Sequence, residues 1–421
     1  MSHPFFSINP KILSAADAAL SASTEQFSAI DAVTEYNQQK LLKAFIDNGV
    51  SESHFTETTG YGYGDRGRDT LDKVCAAAFG AEDALMRHSF ASGTHTLGVA
   101  LFGVLRPGDT MLSVTGAPYD TIRPVIGITP GGSGSLADFG IRYVQVDLDA
   151  NGAPDLPAIR AALAQKPRMV YIQRSRGYTL RPSLSVEKIA EITALVKLYS
   201  DAVVMVDNCY GEFVQKQEPP QLGADLIAGS LIKNAGGAIA KSGGYIAGRK
   251  GLIEQCAQRL TVPGIGREVG ASLGHNRELY LGLFHAPHVT GEALKTAVFA
   301  SALFESFGFA VTPRSNEPRA DIIQSVILGN PEALIAFCQG MQSGAPVDAF
   351  VVPEPWDMPG YDSKVIMAAG TFTMGSSIEL SADAPLREPY AAWLQGSINF
   401  HSAKAGVMLA AQSMLEKGFI S

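Results

Sequence analysis

Between residues 85 and 247, short apolar runs alternate with segments of helical periodicity. The runs at 110–114 and 202–206 hold mainly β-branched and aliphatic side chains, which favour strands. The segment at 186–199 instead repeats apolar residues three and four positions apart, as an amphipathic helix does. Apolar strands joined by crossover helices predict an α/β fold with a mostly parallel sheet covered on both faces. The predicted strands lie at 110–114, 142–146, 168–172, 202–206, 226–229 and 244–247.

The pattern differs on the two sides of this region. The first part of the chain has helical periodicity, and Leu41, Leu42 and Phe45 fall on one face, so it predicts an arm that packs on a larger body. The last part predicts helices at 291–304, 331–341 and 390–415 and strands near 322–328, 365–369 and 378–381, a mixture typical of a smaller α+β domain. The predicted organisation is a helical arm (1–58), a large domain (59–288) and a small C-terminal domain (289–421).

Composition and charge narrow the classes of function. The 421 residues are 46% hydrophobic and 18% charged, with a net charge of −8, so we expect a folded chain with neither a nucleic-acid nor a membrane partner. No apolar run reaches the ~20 residues that span a bilayer, and the first residues lack the pattern of a secretory signal. The 4 cysteines form no CxxC pair and the 8 histidines show no ligand spacing, so no metal site is predicted. We expect a soluble cytoplasmic protein.

The first candidate for chemistry is a lysine at the end of a predicted strand. Lys233 follows the strand at 226–229 and precedes a glycine pair, Gly236 and Gly237. At the rim of a sheet, partial desolvation would lower the pKa of the amine and leave it able to attack a carbonyl. The alternative interpretation is an ordinary solvated loop lysine.

Two further residues follow strand ends and could contact a flat cofactor. Asp207 closes the run at 202–206, where a carboxylate is unfavourable unless it meets a cation. A protonated pyridine nitrogen is such a cation, and this ion pair allows pyridoxal phosphate to accept electrons. Tyr119 follows the run at 110–114, and its ring could stack on the same cofactor. The alternatives are a turn-capping aspartate and a packed turn tyrosine.

Small residues before a helix indicate a site for an anion. Ser92, Gly93 and Thr94 precede the apolar helix that begins near Leu97, and backbone N–H groups at a helix N-terminus bind phosphate. Ser230 would add a hydroxyl group to the same phosphate. A simple helix N-cap is the alternative.

In their order and spacing these motifs resemble the fold-type I pyridoxal-phosphate enzymes. Within that group the chain is most similar to the methionine gamma-lyase or aluminium-resistance protein family of the cysteine and methionine metabolism lyases. The resemblance implies a large domain with a mostly parallel seven-stranded sheet, and pyridoxal 5'-phosphate as the cofactor. The motifs that carry it are GYGYGDRGRD (60–69), SGTH (92–95), RPGD (106–109), GAPYDT (116–121), QRSRGY (173–178), VDNCYG (206–211), SLIKNAGG (230–237) and SIELSADAPLREPY (377–390).

The resemblance assigns a role to each candidate. Lys233 would hold the cofactor covalently and move protons, and Asp207 would pair with the ring nitrogen. Tyr119 would stack on the ring and assist as an acid or base. The phosphate would lie among Ser92, Gly93, Thr94 and Ser230.

The glycine-rich loop at 60–69 resembles an element that the family shares between subunits. In the cystathionine-lyase group a Tyr-x-Arg element of the neighbouring subunit reaches the phosphate, and Tyr63 matches its tyrosine. Asp65 stands in the place of the arginine, so the contact falls to Arg66 or Arg68. Tyr61 of the same loop is a candidate to contact the substrate.

The resemblance also implies contacts to the substrate carboxylate. A C-terminal arginine binds it in the family, and Arg387 is the match; a planar guanidinium suits a carboxylate, while a surface arginine is the alternative. In the QRSRGY loop, Ser175 or Gln173 could form a hydrogen bond with the ring oxygen of the cofactor. Arg174 or Arg176 could contact the carboxylate or the phosphate.

Taken together, the resemblance implies a pyridoxal-phosphate-dependent carbon–sulfur lyase. The expected substrate is a small methionine-, cystathionine- or cysteine-like amino acid, cleaved by β- or γ-elimination to a thiol, an oxo-acid and ammonia. Two alternatives stay open: another reaction on the same cofactor, such as γ-replacement, transamination or aldol cleavage, and a non-catalytic protein that keeps the fold. We expect a homodimer or homotetramer with shared active sites.

Overall fold

The computed structural model describes residues 5–358 and 363–421. These residues form two compact units, one made of Tyr36–Ala286 and the other of Pro287–Ser421 together with the described chain before Tyr36. The boundary near residue 287 lies close to the start of the C-terminal domain predicted at 289. The predicted arm at 1–58 differs from the structure, because its described residues are divided between the two units.

The regular elements of the described chain are numbered here in order. Helices α1 to α11 span Pro10–Ala22, Thr24–Asp47, Arg66–Phe79, Gly93–Val104, Arg123–Ile126, Leu156–Ala162, Val186–Tyr199, Lys250–Leu260, Asn276–Ser306, Pro331–Ser343 and Phe400–Glu416. Strands β1 to β12 span Asp83–Arg87, Thr110–Ser113, Arg142–Gln145, Met169–Gln173, Val203–Asp207, Leu226–Ser230, Gly244–Gly248, Ala310–Thr312, Gln324–Ile327, Val365–Ala368, Ser381–Pro385 and Ala391–Gln395. None of these helices combines the length and the apolar character needed to cross a membrane, as far as the described chain is concerned.

The large unit contains a seven-stranded sheet in the order β1-β7-β6-β5-β4-β2-β3. Strands β3, β2, β4, β5 and β6 run parallel, whereas β7 is antiparallel to both of its neighbours. The prediction of a mostly parallel sheet is therefore confirmed. Strand β1 was not predicted, because its DALMR sequence holds mainly residues that favour helices. It becomes a strand through full pairing with β7.

The central strands are buried on both faces. In β4, Val170 and Ile172 belong to one hydrophobic core, whereas Met169 and Tyr171 belong to another. Because successive side chains of a strand point to opposite faces, this alternation shows that each face of the sheet packs on its own apolar layer. Because β2 to β6 run parallel, their carboxyl ends lie at one edge of the sheet. Ligands bind at this edge in sheets of this kind.

The second unit contains an antiparallel five-stranded sheet in the order β10-β11-β12-β9-β8. Two sequence predictions are wrong in this unit. Residues 391–395, predicted as the start of a helix, form strand β12, and α11 begins only at Phe400 after the N-cap Asn399. The strand predicted at 378–381 is β11 at Ser381–Pro385. The alanine-rich sequence favours a helix, but pairing between β9, β11 and β12 decides the outcome.

Candidate active site

A cavity of about 190 Å³ lies at the carboxyl edge of the large sheet. It is bounded by the ends of β4, β5 and β6 and by the first residues of α4. The sequence-predicted site residues that line it are Gly93, Thr94, Tyr119, Ser175, Asp207, Ser230 and Lys233. These residues are far apart along the chain, so the fold brings the cofactor candidates together at one place.

Asp207 is the last residue of β5 and is buried. Its Oδ1 accepts a hydrogen bond from the backbone N–H of Cys209 (3.1 Å), and its Oδ2 accepts one from the hydroxyl of Tyr171 (3.3 Å). Burial raises the pKa of Asp207, and the Cys209 hydrogen bonds and the Lys233 ammonium oppose this shift. A positive group in the cavity would therefore stabilise the ionised carboxylate.

Lys233 follows β6 and directs its amine at an aromatic ring. Its Nζ lies 3.7 Å from the centroid of the Tyr210 ring. Burial alone would lower the pKa of Lys233, but Tyr210, Cys209 and Asp207 together raise it above its usual value. The expected lowering of this pKa is thus wrong for the structure described here, because acidic groups surround the amine.

The proposed phosphate cradle contains a buried hydroxyl without a partner. Ser230 Oγ makes no hydrogen bond within the described residues, and a Cβ added to Gly93 would lie 3.1 Å from Ser230 Cβ. Glycine therefore keeps open the space between this hydroxyl and the N-terminus of α4. Ser92 caps that helix, since its Oγ accepts a hydrogen bond from the N–H of His95 (3.1 Å). Thr94 Oγ1 lies 2.6 Å from Thr121 Oγ1, and either can donate.

Two residues of the QRSRGY loop line the cavity as candidates for the ring oxygen. Gln173 Nε2 donates to the backbone carbonyl of Ser175 (3.0 Å). The other amide atom, Oε1, is buried and has no partner in the described part of the chain. Gln173 and Ser175 both remain candidates for the hydrogen bond to the ring oxygen of the cofactor. Gln173 also has an amide oxygen without a hydrogen-bond partner among the described residues.

Cys209 also lines this cavity. It is a buried free thiol. Burial and the carboxylate of Asp207 raise its pKa well above the usual value, so the sulfur carries a proton at neutral pH. We interpret Cys209 as a packing residue of the cavity wall.

Arg174 does not contact the cavity, contrary to its prediction as a substrate ligand. The side chain is fully buried, and its guanidinium pairs with Glu218 (3.5 Å) and donates to Asn208 Oδ1 (2.8 Å). Because those groups already occupy the guanidinium, we assign Arg174 to the structure of the large unit.

Arg176 is buried as well and donates through Nε to Ser183 Oγ (3.3 Å). A contact between Arg176 and substrate stays a prediction.

The groups around Arg174 form a polar cluster behind the cavity. This cluster consists of Arg174, Asn208, Glu212, Glu218 and Tyr245, which are all buried. The hydroxyl of Tyr245 donates to Glu212 Oε1 (2.9 Å), and Asn208 Nδ2 donates to Glu218 Oε2 (3.1 Å). Burial raises the pKa of Glu212 to about 8, so this carboxyl is protonated at neutral pH.

The glycine-rich loop presents two aromatic side chains to solvent. Tyr61 and Tyr63 are 73% and 68% exposed, and their rings stack with centroids 5.5 Å apart. Arg68 is buried and donates to the carbonyls of Gly62 (3.0 Å) and Gly270 (3.1 Å), whereas Arg66 is exposed. Of the two arginines left open by the sequence, Arg66 is therefore the one available to a phosphate.

Asp65 and Arg387 complete the predicted positions. Asp65 caps α3, because its Oδ1 accepts a hydrogen bond from the N–H of Arg68 (2.8 Å). This capping gives Asp65 a structural role at the start of α3. Arg387 is exposed in the turn between β11 and β12. Its role as carboxylate ligand stays a prediction.

The sequence analysis missed Tyr210, although it lies in the same segment as Asp207. Tyr210 lines the cavity and has a backbone φ of 69°, a left-handed conformation that is uncommon outside glycine. Asn234 Nδ2 donates to the carbonyl groups of Tyr210 (3.1 Å) and Glu212 (3.0 Å). The only signal in the sequence was an aromatic residue shortly after a strand end, which is too common to be specific.

Comparison with known protein families gives a match over most of the chain. The family model described as Methionine gamma-lyase matches residues 12–415. The chain belongs to the methionine gamma-lyase family. Membership in the methionine gamma-lyase family confirms the resemblance inferred from the motifs.

Individual relatives agree with this membership in the methionine gamma-lyase family. A carbon-sulfur lyase involved in aluminum resistance from Clostridium novyi NT is 52% identical, with a TM-score of 0.93 over 96% of both chains. The uncharacterized protein YnbB of Bacillus subtilis (strain 168) is 49% identical over 393 residues, 93% of each chain. The pyridoxal-5'-phosphate-dependent protein YhfS from Escherichia coli is 18% identical, and its TM-score of 0.61 over 92% of this chain shows a shared fold.

Proposed function

We propose that this methionine gamma-lyase family member is a pyridoxal-phosphate-dependent carbon–sulfur lyase. Its substrate class would be small methionine-, cystathionine- or cysteine-like amino acids. The observation that carries the proposal is one cavity that holds an amine on Lys233, a buried carboxyl on Asp207 and a hydroxyl on Ser230 without a partner in the described chain. The description of the Clostridium novyi relative as a carbon-sulfur lyase supports the reaction class.

The residues of the cavity fit the three chemical parts of this cofactor. Ser230 Oγ, with the α4 N-terminus at Gly93, suits a phosphate, because an unused donor and a helix N-terminus favour an anion. Asp207 suits a protonated ring nitrogen, since a nearby cation favours its ionised form. Lys233 supplies the amine that would hold the aldehyde carbon, and Tyr119 supplies a flat ring beside it.

When bound, the cofactor supplies a protonated ring that takes up the electron pair released at the α-carbon of the substrate. Asp207 keeps a negative charge beside the ring nitrogen. Lys233 Nζ accepts the proton from the α-carbon and returns protons later, as a general base and acid. For a γ-leaving group a second proton must leave the β-carbon, and Tyr119 is the residue that we assign to assist. We assign the substrate carboxylate to Arg387, as the resemblance implies.

We further propose that two copies of the chain complete each site. The stacked rings of Tyr61 and Tyr63 and the exposed Arg66 lie on one loop. An exposed pair of aromatic rings with a neighbouring cation suits a partner surface that contains an anionic group. Mixing inactive Lys233→Ala chains with inactive Arg66→Ala chains is expected to restore part of the activity. Mixtures that remain inactive would contradict shared sites.

Cofactor binding is tested by colour and by trapping. Protein given pyridoxal 5'-phosphate is expected to absorb visible light, and borohydride should fix the cofactor to the peptide that contains Lys233. The Lys233→Ala variant should show neither result. Lys241→Ala is the control, because that side chain is 72% exposed and pairs with Glu278. A wild-type protein that stays colourless would contradict the proposal.

Product analysis tests the reaction class. A lyase should release a thiol, an oxo-acid and ammonia in equal amounts from one of the proposed amino acids. Accumulation of pyridoxamine phosphate, or a product in which a new nucleophile has replaced the thiol, would instead identify a transaminase or a γ-replacement enzyme.

A further inference from the structure

The amine of Lys233 lies on the face of an aromatic ring to which the sequence analysis gave no role. The distance from Nζ to the ring centroid of Tyr210 is 3.7 Å. Tyr210 holds a left-handed backbone, with a φ of 69°. A non-glycine residue keeps such a conformation only where its surroundings enforce it, and such residues concentrate at functional sites.

The surroundings of Tyr210 do enforce its position. Asn234 is fully buried and directly follows Lys233, and its side chain donates to the carbonyls of Tyr210 and Glu212. The loop that holds the amine is therefore tied to the loop that holds the ring. On the other side, a Cβ added to Gly211 would lie 2.4 Å from Cδ of Arg174, so the segment packs tightly on the polar cluster.

We propose that the ring face of Tyr210 is the position that the Lys233 amine occupies whenever it is not bonded to the cofactor. Tyr210 is thus a positioning residue for the amine that moves protons. Its catalytic consequence rests on the proposed function, whereas the contact between ammonium and ring does not. The electrostatic reason is that an aromatic ring presents negative charge on its face and attracts a desolvated ammonium.

Other groups that act on the same amine must be separated from the ring. Asp207 and Cys209 face Lys233 from the segment that also contains Tyr210, and they favour its charged form, whereas burial opposes that form. The hydroxyl of Tyr210 contributes as well. A useful experiment must therefore remove the ring and the hydroxyl of Tyr210 in different variants and leave Asp207 and Cys209 unchanged.

The test follows the titration of Lys233 in the full-length protein without cofactor. Lys233 is acetylated with acetic anhydride across a pH series, and the modified peptide is quantified by mass spectrometry in wild type, Tyr210→Phe and Tyr210→Leu. The Phe variant keeps the ring but loses the hydroxyl, so it should titrate lower than wild type and higher than the Leu variant. The Leu variant should titrate about one pH unit lower, which corresponds to about tenfold more free amine at a given pH.

The outcomes separate this proposal from the proposed function. If both variants titrate like wild type, or if both shift equally, the ring does not hold the amine and the proposal is overturned. If Tyr210→Leu fails to fold by circular dichroism, Tyr210→Met replaces it under the same criteria. Failure of wild-type protein to bind the cofactor would contradict the proposed function, and the titration would still decide the role of the ring.

Discussion

The cavity and the buried layer behind it contain neighbouring residues of the same three segments. Gln173, Asp207 and Lys233 line the cavity, whereas the next residue of each segment (Arg174, Asn208 and Asn234) is fully buried behind it. Each pair of neighbours lies at the end of a strand or shortly after it, and successive side chains of an extended backbone point in opposite directions. The comparison teaches that a single motif can contain one residue that lines the ligand cavity and an adjacent residue that stabilises the fold.

The two regions also differ in how their polar atoms are paired. In the cluster Arg174 is held by Glu218 and Asn208, so its loss would leave a buried charge unpaired. At the cavity Ser230 Oγ has no partner among the described residues, so its loss would remove no hydrogen bond between them. Variants of the cluster should therefore change stability, and variants of the cavity should change ligand binding and activity.

Lys233→Ala should give the largest effect. Activity is expected to fall by at least about 10³-fold, because the variant loses the group that transfers protons. The free energy of unfolding should change by less than about 2 kcal/mol, as for most single substitutions. Steady-state assays and urea denaturation measure the two quantities. Wild-type activity in this variant would contradict the assignment of Lys233 as the residue that transfers protons in the cavity.

Arg174→Ala should lower the free energy of unfolding by about 3–5 kcal/mol, because Glu218 would remain as a buried charge without its partner. Denaturation in urea measures the loss. Arg249→Ala is the matched control, since that arginine is 62% exposed and its pair with Asp225 (3.4 Å) is worth at most about 1 kcal/mol. Equal losses in the two variants would contradict the structural role of Arg174.

Glu212→Gln should change how stability depends on pH. The unfolded chain releases the Glu212 proton near the ordinary pKa of 4.5, whereas the folded chain keeps it to about 8. The wild-type free energy of unfolding should therefore fall as the pH rises through this interval. The glutamine variant has no proton to lose, so relative to wild type it should gain up to about 5 kcal/mol between pH 4 and pH 9.

Thermal or urea unfolding at several pH values measures this gain. Parallel stability curves for wild type and Glu212→Gln would mean that Glu212 does not hold its proton in the folded state. Tyr245→Phe is a useful companion, because it removes the hydroxyl that donates to Glu212 and leaves the titrating carboxyl in place.

Ser230→Ala should give the smallest effect, confined to the cavity. The Kd for pyridoxal 5'-phosphate is expected to rise about tenfold, the value of one hydrogen bond, while stability stays unchanged. Ser113→Ala is the control, since Ser113 Oγ donates to the carbonyl of Gly116 (2.7 Å) and its loss should affect stability instead. Titration of the cofactor absorbance measures the Kd of each variant, and urea denaturation measures its stability. An unchanged Kd in Ser230→Ala would remove Ser230 from the phosphate cradle.

The sequence predicted the parts of the fold in which local pattern and tertiary pairing agree. Strands β4 to β7 are apolar runs between turns, and they were located within one or two residues. Strands β1 and β12 were missed, because alanine, leucine and methionine favour a helix in isolation and only cross-strand pairing makes them strands. Pairing between distant segments leaves no periodic signal.

The candidate site was predicted with similar limits. Lys233, Asp207, Ser230 and Tyr119 share one cavity, as expected for residues that follow parallel strands. The direction of the Arg174 side chain could not be predicted from the sequence, because a shift of one residue at the end of a strand moves a side chain to the opposite face of the sheet. The raised pKa of Lys233 could not be predicted either, since it depends on the neighbours that the fold supplies.

The protonated thiol of Cys209 affects how an enzyme of this kind would tolerate its own product. Disulfide exchange and alkylation require the thiolate, and the burial that raises the pKa of Cys209 suppresses that form. If a sulfhydryl compound is released in this cavity, the sulfur of Cys209 lies next to it yet reacts slowly with any oxidised form of it. Turnover would then continue without capture of the protein as a mixed disulfide.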